Sequence, residues 1–67
     1  METVKVFSPV DDKDIRQNLN GSPIWKLAYT ESELREAEKK HPVLFEYSVK
    51  FDGLKPVQLL GVKKVTK

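Results

Sequence analysis

The sequence predicts a small α+β domain, in which an antiparallel sheet of three or four strands packs one face on a single main helix at about residues 31–40. Three observations lead there. Val43, Phe45, Tyr47, Val49 and Phe51 point one way along a run whose other members are Leu44, Glu46, Ser48 and Lys50, the period of two that belongs to a half-buried strand. Thr30-Glu31-Ser32-Glu33 is a capping box, and Pro42 stops the helix it would start. Finally, 67 residues with 39% hydrophobic and 33% charged side chains and no cysteine suffice for one core and exclude a disulfide framework. Residues 1–67 therefore read as a single compact domain, without repeat, linker or low-complexity tract.

Taken in order, Thr3-Val4-Lys5-Val6-Phe7 alternates and is rich in β-formers, so it reads as a first strand ended by Ser8-Pro9. Residues 11–21 are expected to form one or two helical turns capped by Asp11 or Asp12, with Ile15 and Leu19 on one face and Asn20-Gly21 as the stop; the alternative is an irregular polar loop. Ile24-Trp25-Lys26-Leu27-Ala28-Tyr29 reads as a second strand. The helix at 31–40 has a narrow apolar stripe, Leu34 and Ala37, enough to cover one sheet face but not to build a bundle. The strand 43–51 is the expected core strand, packed on that helix. Asp52-Gly53 signals a turn that Leu54-Lys55-Pro56 extends. Residues 57–65 form the last strand, but Val57 and Leu59 share one phase while Leu60 and Val62 share the other. Gly61 stands at the change, which predicts a β-bulge near Leu59–Gly61.

Charge is placed unevenly about a formal total of +2. Residues 1–34 carry six acidic and four basic side chains, a balance of −2, whereas residues 35–67 carry four acidic and eight basic, a balance of +4. Lys55, Lys63, Lys64 and Lys67 follow the last acid, Asp52. Such a stretch either attracts phosphates or an acidic protein surface, or guards a sheet edge against aggregation. The opening residues lack a basic segment followed by an apolar one, and no apolar run approaches the roughly 18 residues of a membrane span, so a cytoplasmic location is expected and a membrane is not.

Most chemistry is discounted at this level. One histidine, His41, and no cysteine leave little for a zinc site. Asp11, Asp12 and Asp14 start like a calcium loop, but Arg16 occupies the next ligand position and no glycine follows. His41 stands where a cation suits a helix C-terminus. The glycines are isolated, and no phosphate-binding glycine motif occurs. The chain is therefore read as no enzyme, with no cofactor, no metal and no small-molecule substrate.

Binding is the remaining class. The leading expectation is a small non-enzymatic protein-binding module of accessory, adaptor or inhibitor type. It would act through an exposed sheet face or an edge strand, with another protein or a second copy (a homodimer) as partner. Trp25, Leu44 and Leu60 are the expected contacts and Lys63 and Lys64 the rim, because Trp is enriched at interface hot spots and the two leucines fall on the phase away from the core. The first strand, without an internal proline, is the expected free edge. The alternative is a nucleic-acid-binding domain that uses the basic C-terminal strand and tail, with Trp25, Tyr29, Phe45 and Tyr47 as stacking surfaces beside Lys26, Lys50, Lys63 and Lys64. In size and layout the chain resembles many small bacterial, prophage and phage-encoded accessory proteins that bind a host protein, a resemblance of size with no motif behind it.

Overall fold

The computed structural model describes residues 2–66; Met1 and Lys67, the last lysine of the basic stretch, lie outside the described residues. Three strands form one antiparallel sheet in the order β1-β2-β3, with β1 at Glu2–Ser8, β2 at Val43–Asp52 and β3 at Lys55–Thr66. A 3-10 turn at Glu31–Glu33 runs directly into helix α1, Leu34–Lys40. The α+β class is thus as expected, with three strands and one helical segment of about the length read from the capping box. Glu33 reaches back to accept from the Thr30 amide and the Thr30 hydroxyl, each at 3.0 Å. Among the described residues no helix is long and apolar enough to cross a membrane.

The stretch expected as a second strand is instead a 3-10 helix, Pro23–Leu27. Ser22 caps it, its hydroxyl oxygen accepting from the Ile24 amide at 3.3 Å, and Pro23 occupies the first helical position with its φ already set. β-former composition alone does not outweigh that start signal. Only Tyr29 keeps strand character, as an isolated bridge that exchanges both main-chain hydrogen bonds with Phe7, at 2.7 and 2.9 Å. Residues 13–17 are turns rather than a helix, with the Asp14 carbonyl accepting from the Gln17 amide at 3.0 Å and the Asn18 amide at 3.2 Å.

The core lies where the β2 pattern put it but under a different cover. Tyr47 and Val49 are buried with Ile15, Ile24 and Leu59, and Val10, Leu19, Trp25, Phe45 and Phe51 pack around them. The segment from Val10 to Trp25, not α1, covers that face. Helix α1 meets β2 on the other face, where Phe7, Ala37 and Leu44 are buried. The chain thus wraps the sheet around its β1 side: over one face, past Phe7 at Tyr29, then over the other. The loop is tied down by hydrogen bonds. The Tyr47 hydroxyl donates to the Val10 carbonyl at 2.6 Å and accepts from the Asp12 amide at 3.3 Å. The Ser22 hydroxyl donates to Asp12 Oδ2 at 2.6 Å, and Asp12 Oδ1 accepts from the Asp14 amide at 3.0 Å. Asp12 therefore organises the loop as an Asx turn rather than capping a helix.

The β2–β3 hairpin turns through Gly53 and Leu54. Gly53 has φ +66°, a positive value at the first central position that matches a type II′ turn. β3 starts at Lys55, earlier than expected, and takes Pro56 into the strand. Proline is tolerated there because β3 is an edge. The pairing passes from Ser48–Gly61 to Val49–Leu59, which leaves Leu60 as the extra residue of the expected bulge. A second slip, from Lys50–Gln58 to Phe51–Pro56, leaves Val57 extra in the same way.

Candidate functional site: the open edge of β3

In an antiparallel ladder, successive residues of a strand direct their main-chain groups alternately to one neighbour and to the other. Phe7 bonds outward to Tyr29, so Val6 and Ser8 bond inward to Tyr47 and Phe45. Glu46 and Leu44 then bond to their partners Lys63 and Val65 on β3. It follows that the N–H and C=O groups of Val62 and Lys64 face away from the sheet. Among the described residues no main-chain hydrogen bond reaches β3 from outside its ladder with β2. From Gly61 onward the strand is free of bulges, and its outer side is open.

Apolar side chains accompany this edge. Val57, Leu60 and Val62 are 42, 47 and 45% exposed, and Leu54 at the turn is wholly exposed. The bulges account for the first two, since the extra residue of a bulge leaves the regular alternation. Val62 has the core phase, opposite Tyr47, but no strand lies beyond it to complete its cover.

Cations frame the same edge. A hollow of about 280 Å³ beside the first half of β3 is lined by Arg16, Leu19, Val57, Gln58 and Leu59. A shallow groove of about 410 Å³ beside the second half is lined by Lys63, Lys64 and Val65 together with Phe7, Glu31, Leu34 and Glu46. Lys63 stands across from Glu46, whereas Lys64 stands across from Phe45 and has no acid in register.

The residues singled out in the sequence part company here. Leu60, Lys63 and Lys64 are exposed on β3. Leu44, expected on a free sheet face, is 1% exposed, because α1 occupies that face. Trp25 is half-buried among the core side chains, its indole N–H donating to the Leu19 carbonyl at 2.6 Å and its ring set edge-on to Phe51 at 5.9 Å. β1 is an edge as expected, but Tyr29 already occupies the outward side of Phe7. Val57 and Val62 were read only as markers of the change of phase, because the sequence does not carry the strand order that leaves them at an open edge. Arg16 was missed because only the fold of residues 11–21 brings it to β3.

Two polar pairs complete the inventory. Tyr29 Oη and His41 Nε2 share a hydrogen bond at 3.2 Å, and His41 closes α1 with its amide donating to the Ala37 carbonyl at 2.9 Å. Burial pushes the Tyr47 phenol above its ordinary 10.0, against the bond from the Asp12 amide, which pulls the other way. Among the described residues no buried side-chain nitrogen or oxygen lacks a hydrogen-bond partner. Comparison with protein-family models, with curated proteins and with solved structures returned no match.

Proposed function

We propose that the chain is a small non-enzymatic binding module, working in the cytoplasm, that takes a strand of another protein onto β3. The observation that carries this reading is the unpaired outer side of β3, where the main-chain groups of Val62 and Lys64 are free beside three half-exposed apolar side chains. Strand addition draws its affinity from such main-chain groups and its selectivity from the side chains alongside. Leu60, Val62, Lys63 and Lys64 are the contacts. Trp25 and Leu44 serve the interior. The nucleic-acid reading has less support, because Phe45, Tyr47 and Trp25, which would have stacked bases, are packed in the core and leave the lysines without an aromatic platform.

The test is a proline at Lys64. Its outward N–H contributes nothing to the ladder with β2, so Lys64→Pro removes one donor from the free edge and leaves the sheet paired. Lys64→Gln controls for the charge, and circular dichroism for the fold. A protein retained from lysate by the wild type and by Lys64→Gln, but lost with Lys64→Pro, supports the reading. Equal retention by all three, or none above a bare resin, overturns it.

A further inference from the structure

We infer that the strand taken up by β3 is acidic and of a defined pattern: an extended segment of another protein that reads apolar, acidic, acidic, apolar. This rests on the edge-binding role proposed above and specifies the chemistry of its partner. The bulge-free part of the edge reads Val62-Lys63-Lys64-Val65. A strand laid along it sets one residue directly opposite each of these, close enough for side chains to pair. Opposite charges across such a pair stabilise it and like charges destabilise it.

The edge selects against a second copy of itself on the same ground. Two β3 edges paired antiparallel through this segment bring Lys63 against Lys63 or Lys64 against Lys64 in the registers centred on those residues. Lysines and bulges are the devices by which sheets avoid pairing with their own kind, and β3 has both, the bulges at Val57 and Leu60 and the lysines beyond them. A partner of opposite sign meets no such barrier. Glu46 across the ladder offsets Lys63 in part, but Lys64 faces Phe45, so its charge is the one a partner must answer. Arg16, at the hollow beside the first half of β3, extends the same sign along the edge.

Two capped peptides test this: Thr-Val-Glu-Glu-Val-Thr, and Thr-Val-Lys-Lys-Val-Thr, which carries the Val-Lys-Lys-Val-Thr run of β3 itself. Each is titrated into the isotopically labelled full chain, and amide resonances are followed at two salt concentrations. The acidic peptide is expected to move the Val62 and Lys64 amides, whose N–H groups are free, more than those of Lys63 and Val65, already bonded to β2. It should bind on the order of tenfold more tightly than the basic one at low salt, with the difference shrinking as salt screens the pairs. Lys64→Gln should narrow the gap. Equal binding of the two peptides leaves strand addition standing and overturns the acidic pattern. Tighter binding of the basic peptide, or the same shifts on concentrating the protein alone, makes a second copy the occupant and overturns it too. No shift with either peptide overturns both readings.

Discussion

Replacing Tyr47 by Phe removes one oxygen from the centre of the molecule. Tyr47 is 0% exposed, and its hydroxyl makes the only side-chain hydrogen bonds described from β2 to the covering loop. The bond to the Val10 carbonyl is short, 2.6 Å, and should contribute at the upper end of the roughly 0.5–1.5 kcal/mol usual for a neutral pair. The bond from the Asp12 amide is long, 3.3 Å, and should add a few tenths, about 0.3 kcal/mol, since Asp12 is only half-buried and water can replace part of it. The ring stays, so no cavity opens. The expected loss is about 1–2 kcal/mol. In a domain whose single core supplies about 3–5 kcal/mol, that is a third or so of the whole, and it corresponds to a drop of roughly 4–16 °C in melting temperature. Urea unfolding followed by Trp25 fluorescence measures it, with the slope against denaturant expected to be unchanged. A second arm uses pH. Because the folded phenol titrates above its ordinary 10.0, the unfolded chain loses this proton first, and stability should fall as pH rises from about 10 toward the folded value. Tyr47→Phe abolishes that part of the fall. A variant within about 0.3 kcal/mol of wild type at pH 7, or one with the same alkaline decline, would refute the role given to this hydroxyl.

The remaining expectations concern other parts of the fold. Leu44→Ala, under α1, should cost about 2–5 kcal/mol and leave little folded protein at 37 °C, whereas a surface contact would leave the melt unchanged. Trp25→Ala should lower the urea midpoint by roughly 2–4 kcal/mol of stability, read by circular dichroism since the fluorophore is gone. Gly53→Ala meets no neighbour within 4 Å but must hold φ +66°, so it should cost about 1–2 kcal/mol by backbone strain alone; an unchanged midpoint would remove the turn assignment. Glu33 is held below its ordinary 4.5 by the Thr30 amide and hydroxyl. Its contribution is therefore present above about 4.5 and is lost as pH falls through the folded value, so wild type and Glu33→Gln should differ in urea midpoint at pH 6 and converge at pH 3.

β2 was legible because a strand's side chains alternate with a period of two and five apolar residues kept that period from Val43 to Phe51. The same pattern says that a face is buried and is silent about what buries it. Hence the helix was given the face that residues 10–25 in fact cover, and Leu44 was left outside. The bulge at Leu60 was legible as a change of phase beside Gly61; the one at Val57 was hidden by Pro56, which reads as turn. Ser22-Pro23 carried its helix-start signal in plain view, and the β-formers after it masked the signal. Of the edge itself, the sequence held the charges and the bulge. It did not hold the strand order, and only the order makes Val62 an exposed residue and Arg16 a neighbour of β3.

The Phe7–Tyr29 bridge bears on stoichiometry. A sheet with two open edges can grow from both, and a chain that offers complementary edges at its two ends can propagate without limit into a fibre. Here one end of the ladder is partly spent inside the molecule: Tyr29 fills the outward side of Phe7, so a strand added along β1 reaches only Thr3 and Lys5 before it meets the Tyr29 segment. Whatever joins at β3 therefore meets a terminator on the far side. Occupancy should saturate at one added strand per chain, and a dose–response that continued past that ratio would mean that Tyr29 had been displaced or that Thr3 and Lys5 had taken a strand of their own.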